Sequence, residues 1–164
     1  MVSKDEIDLF IELDKSASFF GLSWQTQPGH ENMWFVESTV IDNVAVTTIP
    51  DAICELRYYA DPLLDRCKYL YTIFKVLDNV KYRLIQVEVV PKYEVAKRVH
   101  GIFINGPHYH IGDPRCESHD IYAIDEDISC DDYQSWLEFF SKIANIEITD
   151  PPELPAMQWE MQYD

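Results

Sequence analysis

The strongest constraint on the fold is a pair of β-rich runs at residues 69–76 and 81–90, joined by the turn-forming residues Asp78 and Asn79. In the second run the side chains alternate with a period of two, which is typical of a half-buried antiparallel strand. The alternation assigns to one face Arg83, Ile85, Val87 and Val89, and to the other face Tyr82, Leu84, Gln86 and Glu88. The pattern therefore predicts a β-hairpin near the middle of the chain.

Further strands are predicted on both sides of this hairpin. Runs of β-branched and aromatic residues cover residues 33–41, 44–49, 53–59, 99–104 and 121–124. Pro50 is expected to end the second of these runs, because proline has no N–H group to donate to a sheet.

Two helices are predicted near the ends of the chain. Ser3 and Glu6 have the spacing of a capping box, and apolar residues at helical spacing extend the first helix over residues 3–20, before Gly21. A second apolar stripe predicts a helix over residues 129–144, with Asn145 as its C-terminal cap.

This order of elements predicts an α+β fold, with a mostly antiparallel sheet of about 6–8 strands flanked by an N-terminal and a C-terminal helix. Residues 1–148 are long enough to form a single domain with its own core. Residues 149–164 contain Pro151, Pro152 and Pro155 together with several acids, so they are predicted to form an extended acidic tail.

Charge is distributed unevenly along the chain. The net charge is −16, and residues 113–164 carry fourteen acidic and two basic residues. Residues 66–98, in contrast, carry eight basic and three acidic residues. The C-terminal third is therefore expected to repel nucleic acid and to attract a cationic partner. A role in solubility alone explains the same charge equally well.

The cysteines and the apolar runs bear on the location of the protein. No run approaches the roughly eighteen apolar residues of a membrane span, and the first residues carry acids where a signal peptide would be basic. These features predict a cytoplasmic protein that does not contact a membrane. The four cysteines, Cys54, Cys67, Cys116 and Cys130, are scattered and are expected to be free thiols in a reducing compartment.

Four of the five histidines fall within residues 100–119. His108 and His110 lie two residues apart, so an extended backbone places both imidazoles on one face. Such a pair can bind a divalent metal ion, with Asp113, Cys116 or His119 completing the shell. It can instead act as a catalytic acid and base, helped by Arg115 and His119. In the third interpretation the histidines only cap turns and bond to the backbone.

An acidic segment follows the histidine-rich stretch. Its candidate partner-binding residues are Asp125, Glu126, Asp127, Asp131 and Asp132. Their spacing is not that of an EF-hand loop, which needs ligands at alternating positions and a central glycine. The segment is either a solvated cap for the second helix or a surface that competes with phosphates for a basic groove on another protein.

Three blocks of the chain resemble an uncharacterised family of small bacterial and phage proteins associated with toxin–antitoxin or other defence loci. The blocks are residues 106–110, the strand that ends at Ile124, and the end of the second helix at residues 143–146. Residues 81–84 partly match the arginine-rich strand of such proteins. The resemblance covers about residues 81–146 and implies a role in conflict between bacteria and phage.

Three functional hypotheses remain. The first is a non-enzymatic acidic inhibitor, a phage anti-defence protein or antitoxin, that occupies the basic groove of a nucleic-acid-binding protein without binding nucleic acid itself. The second is a small histidine-dependent nuclease-like toxin, and the third is a metal-binding regulatory module. The absence of nucleophile-elbow, phosphate-loop and zinc-protease motifs favours the first. No cofactor is expected, apart from a divalent metal ion in the third hypothesis.

Overall fold

The computed structural model describes residues 2–59, 68–99 and 102–155, and it gives the side chains of these residues except those of residues 31, 95–99 and 102. The predicted residue His100 and the C-terminal residues 156–164 lie outside these ranges. The elements in chain order are α1 (Lys4–Glu12), β1 (Lys15–Ser18), β2 (Gln25–Gln27), β3 (His30–Asp42), β4 (Thr47–Tyr59), β5 (Tyr69–Leu77), β6 (Val80–Val89), β7 (Val95–Val99), β8 (Ile102–Asn105), β9 (His108–Gly112), β10 (His119–Ala123), α2 (Tyr133–Ala144) and β11 (Ile146–Thr149).

Within the described ranges, nine strands form one sheet in the order β10-β9-β6-β5-β4-β3-β1-β11, with β2 paired to β3. All pairs are antiparallel except β1 with β11, which is parallel. The predicted α+β class is confirmed, with an N-terminal and a C-terminal helix and a mostly antiparallel sheet. Neither of the two helices in these ranges is long and apolar enough to cross a membrane.

Helix α1 is shorter than predicted. Ser3 Oγ accepts a hydrogen bond from Glu6 N at 3.2 Å, which is one of the two bonds of the predicted capping box, but the helix ends at Glu12 rather than Phe20. The reason is the buried ammonium group of Lys15, which donates to the carbonyl oxygens of Phe10 at 2.9 Å and Leu13 at 2.9 Å. With its last carbonyls satisfied in this way, the helix ends and the chain continues as strand β1.

Strand β4 joins two runs that the sequence predicts as separate strands. Pro50 does not end a strand, because it lies within an irregular stretch of β4. Thr39 of β3 pairs with Ile53, and Ile41 pairs with Thr48, so four residues of β4 face a single residue of β3. Proline is tolerated at such a bulge because no ladder hydrogen bond is required there.

The central hairpin is confirmed, with Asp78 and Asn79 both at positive φ, as the tight two-residue turn requires. The register of β5 against β6 shifts between Ile73 and Phe74. This bulge breaks the predicted alternation, because Leu84 and Ile85 are both buried while Arg83 bonds to Gln86. Arg83 therefore lies on the face of Gln86 and Glu88, and the prediction that it shares a face with Ile85 is wrong.

Helix α2 covers the face of the sheet opposite to Gln86 and Glu88. Its buried residues Trp136, Leu137 and Phe140 pack over β5 and β6, and the rings of Phe140 and Tyr71 lie 5.7 Å apart. The helix begins four residues later than predicted, with Asp132 accepting from Ser135 N at 3.1 Å. Asn145 caps its end in the left-handed conformation, as predicted.

Two further expectations need correction. The predicted strand over residues 99–104 is replaced by two strands, β7 and β8, which pair with each other. The expectation of free thiols holds for Cys54 and Cys116 and is wrong for Cys130, which is disulfide-bonded, while Cys67 lies outside the described residues. The division into a domain of residues 1–148 and a tail of residues 149–164 stays a prediction.

Candidate functional site

A polar cluster lies where β6 pairs with β9, on the sheet face opposite to helix α2. Glu88 of β6 pairs with His108 of β9, and Gln86 pairs with His110. The two imidazoles lie on one face, as the sequence predicts, with ring centroids 5.0 Å apart. His108 and His110 are 0% and 1% exposed, so this end of β9 is closed to bulk solvent.

Three donor atoms converge within the cluster. Glu88 Oε2 lies 3.1 Å from His108 Nε2 and 3.7 Å from His110 Nε2. All three residues can present ligand atoms within 4.8 Å of one another, and they are the one group of this kind in the described residues. In tetrahedral zinc sites with nitrogen and oxygen ligands, neighbouring donors lie about 3.3 Å apart. This value is between the distances from Glu88 Oε2 to His108 Nε2 and to His110 Nε2.

The hydrogen bonds of His108 determine which of its nitrogens faces Glu88. Its Nδ1 lies 3.0 Å from the carbonyl oxygen of Gly106, which can only accept a hydrogen bond. The hydrogen is therefore on Nδ1, and Nε2 faces the Glu88 carboxylate. A proton or a metal ion must lie between these two atoms, because a lone pair and a carboxylate oxygen repel each other at this distance.

His110 presents an unsatisfied nitrogen to the same point. Its Nε2 is buried and has no hydrogen-bond partner among the described residues, since 3.7 Å to Glu88 is beyond hydrogen-bond distance. Burial lowers the pKa of His110 to about 4, with the charge of Arg83 acting in the same direction and contact with Glu88 opposing it. The imidazole is therefore neutral at pH 7 and can offer a lone pair.

Glu88 is the anionic member of the cluster. Burial by itself would raise its pKa, but contacts with His108, His110 and Lys68 hold the pKa well below its usual range. Lys68 Nζ lies 3.8 Å from Glu88 Oε1, on the side away from the two imidazoles. Glu88 is therefore a carboxylate at neutral pH, with Oε2 directed to the histidines.

The other sequence-predicted residues of this region have different environments. Asp113 accepts hydrogen bonds from the backbone and side chain of Arg115 and from Arg83 N, and these bonds to Arg115 hold the pKa of Asp113 well below its usual range. Cys116 is a half-buried free thiol. His119 bonds to His110 and lies behind it, so the convergent group contains His108 and His110 but not Asp113, Cys116 or His119.

Sequence reasoning missed Glu88, Arg83 and Gln86 as members of the site. Glu88 was recognisable as a polar residue on a half-buried strand, but nothing local shows that β6 pairs with β9 across the intervening residues 90–107. The role of Arg83 depends on the bulge in the central hairpin, which the regular alternation conceals.

The acidic segment contrasts with this cluster in its exposure. All five of its carboxylates are exposed, and none has an ion-pair partner among the residues the structure describes. Two of the five have local roles. Asp132 caps helix α2, and Asp131 accepts a hydrogen bond from the Ser129 hydroxyl. Asp125, Glu126 and Asp127 are the members left available to a partner.

Comparisons with family models, with curated proteins and with solved structures found no match to this chain. The resemblance of residues 81–146 to a defence-associated family therefore stays a prediction. The burial of His108 and His110 argues against the nuclease hypothesis, because the scissile phosphate of a polymer needs access to the acid and the base.

Proposed function

We propose that the protein binds one divalent transition-metal ion through Glu88 Oε2, His108 Nε2 and His110 Nε2. The observation that carries the proposal is the unsatisfied, fully buried Nε2 of His110, which faces the same carboxylate oxygen as Nε2 of His108. Buried polar atoms are almost always satisfied in proteins, so an unpaired one at a convergent donor set indicates a missing ligand.

The donor set indicates the kind of ion. Two imidazoles and one carboxylate are the ligands of many zinc sites, and imidazole favours zinc, cobalt, nickel or copper over magnesium and calcium. The Nδ1–H group of His108 bonds to a backbone carbonyl, which is the usual outer contact of a metal-binding histidine. Bound in this way, the ion would link strands β6 and β9.

The proposal is tested by titrating the metal-free protein with Zn²⁺ in a calorimeter and by measuring zinc after dialysis. The expected result is one ion per chain for the unmodified protein, and loss of binding for Glu88→Gln and for His110→Asn. His30→Asn is the matched control, because His30 is the remaining described histidine outside the cluster and is exposed. Equal binding by all four proteins, or no binding by the unmodified protein, would contradict the proposal.

A second candidate function is that of an acidic inhibitor, a phage anti-defence protein or antitoxin in the cytoplasm, that binds a basic nucleic-acid-binding protein. It is favoured by the exposed carboxylates of Asp125, Glu126 and Asp127, which form no ion pair in the described ranges. Exposed charges of one sign speed up encounter with a partner of the opposite sign, and salt screens this attraction over about 8 Å.

A charge-matched pair of variants tests the second candidate. The first changes Asp125, Glu126 and Asp127 to their amides and leaves the cap residue Asp132 intact. The control changes three other exposed acids in the same way: Glu12, Glu138 and Glu147. A basic partner captured from a bacterial lysate should associate more slowly with the first variant than with the control at low salt. Equal association rates would identify the acidic segment as a solubility device.

A further inference from the structure

The Arg83 side chain is held in place on three sides. Its Nε donates to the carbonyl oxygen of Gly112 at 3.0 Å, and its Nη1 donates to Gln86 Oε1 at 3.2 Å. Gln86 is oriented in turn by a hydrogen bond from its Nε2 to Thr72 Oγ1 at 2.8 Å. The remaining group, Nη2, lies 2.9 Å from Nε2 of His119.

These contacts determine the hydrogen-bonding role of His119. A guanidinium group has only donors and stays protonated in proteins, so His119 Nε2 must accept the hydrogen bond from Arg83. An accepting ring nitrogen carries no hydrogen. His119 Nε2 therefore presents no donor to any other neighbour.

His110 is the next residue in the chain of hydrogen bonds. Its Nδ1 lies 3.2 Å from His119 Nε2, and the two rings are nearly parallel, with an interplanar angle of 8°. Because His119 Nε2 carries no hydrogen, its single lone pair is shared by the donors of Arg83 and His110, and the hydrogen between the two rings belongs to His110 Nδ1. With its hydrogen on Nδ1, the ring has a lone pair on Nε2, and this agrees with the burial of His110 Nε2, where an N–H group would have no acceptor among the described residues.

We infer that Arg83 and His119 are positioning residues that fix His110 in the tautomer with hydrogen on Nδ1, so that its Nε2 lone pair is directed at Glu88 and His108. The inference rests on the proposed function for its purpose, which is to prepare His110 as a metal ligand. Outer contacts of this kind fix the tautomer and the ring orientation of metal-binding histidines, and their loss typically reduces metal affinity 10–100-fold.

Two local features of the backbone bring Arg83, His119 and His110 together. The bulge at Leu84 turns Arg83 to the face of Gln86. The connection between β9 and β10, residues 113–118, returns His119 to His110. It requires glycine at position 112, where φ is +92° and a Cβ atom would lie 2.0 Å from the carbonyl oxygen of Ser118.

The tautomer is measured directly by ¹⁵N NMR of the histidine rings in the metal-free protein at pH 7, with assignment by His110→Asn. The expected spectrum shows hydrogen on Nδ1 of His110 and none on Nε2. His119→Leu removes the acceptor and should allow both tautomers, whereas His119→Gln keeps an acceptor oxygen and should preserve the original one. Hydrogen on Nε2, hydrogen on both nitrogens, or an unchanged spectrum in His119→Leu would overturn the inference.

The same variants separate the inference from the proposed function. If the unmodified protein binds Zn²⁺, His119→Leu should bind it about 10–100-fold more weakly and His119→Gln should retain most of the affinity. Equal affinity in all three proteins would overturn the inference and leave the metal site standing. Absence of zinc binding in the unmodified protein would refute the proposed function, while the NMR spectrum would still decide which tautomer Arg83 and His119 impose.

Discussion

The buried cluster around Glu88 and the exposed acidic segment that begins at Asp125 carry charge in opposite ways. In the cluster, the buried polar side chains are held by hydrogen bonds and ion pairs, and among the described residues His110 Nε2 is the exception that indicates a ligand. In the acidic segment, all five carboxylates are exposed, and within the described ranges hydrogen bonds are found for Asp131 and Asp132 alone. The density of charged residues in a stretch of sequence is therefore a poorer indication of a binding site than a small group of polar residues that strand pairing brings together.

The largest expected effect is a loss of stability on truncation of Trp136, which connects the acidic segment to the core. Trp136 is buried, and its Nε1 donates to the carbonyl oxygen of Ser129 at 2.9 Å. Trp136→Ala should reduce the free energy of unfolding by about 3–5 kcal/mol, the range for truncating a large buried aromatic residue. Denaturant melts measure this loss, and a value below about 1 kcal/mol would show that helix α2 is not part of the core.

The second prediction tests whether the metal ion binds at the cluster around Glu88 or at the acidic segment. A metal ion that binds only the folded protein should raise the free energy of unfolding by about 2.7 kcal/mol when the free ion is at a hundred times its dissociation constant. The amide variant of Asp125, Glu126 and Asp127 should gain as much as the unmodified protein, and Glu88→Gln should gain nothing. Thermal melts with and without Zn²⁺ make the comparison, and a gain that is lost in the amide variant would place the ion at the acidic segment.

Much of the fold could be predicted from local patterns, because the central hairpin and helix α2 are each encoded within about twenty neighbouring residues. The two imidazoles on one face follow from the spacing of His108 and His110 alone. Glu88 could not be assigned to them, since the pairing of β6 with β9 is a long-range contact without a local signal. The end of α1 was missed because it depends on the burial of the Lys15 ammonium group, which bonds to nearby carbonyl oxygens and also to that of Asn145, distant in sequence.

The third prediction tests the loop behind the cluster. Asp113→Asn should reduce the free energy of unfolding by about 2 kcal/mol at pH 7, because the charged hydrogen bonds from Arg115 and Arg83 are weakened. The folded protein lowers the pKa of Asp113, so its contribution is complete above the ordinary value of 3.8 and decreases as the pH falls below it.

The difference between the Asp113→Asn variant and the unmodified protein should therefore shrink in acid. Urea melts at pH 7 and near pH 3 measure both differences. A difference that stays constant over this range would mean that the charge of Asp113 does not stabilise the loop.

The smallest expected effect is on the acidic segment itself. Changing Asp125, Glu126 and Asp127 to amides should alter the free energy of unfolding by less than about 0.5 kcal/mol, because these side chains are exposed and have no partner in the described ranges. Denaturant melts of this variant and of the Glu12, Glu138 and Glu147 control should coincide. A clear loss in the first variant alone would show that the segment has a structural role.

The most direct test of the metal site is X-ray absorption spectroscopy of the protein loaded with one equivalent of Zn²⁺. Two imidazole nitrogens and a carboxylate oxygen should surround the ion at about 2.0–2.2 Å. The imidazole signal should decrease by half in His110→Asn and stay unchanged in His30→Asn. A shell of oxygen atoms alone, as the acidic segment would provide, or a sulfur ligand at about 2.3 Å, as Cys116 would provide, would contradict the assignment of the site to Glu88, His108 and His110.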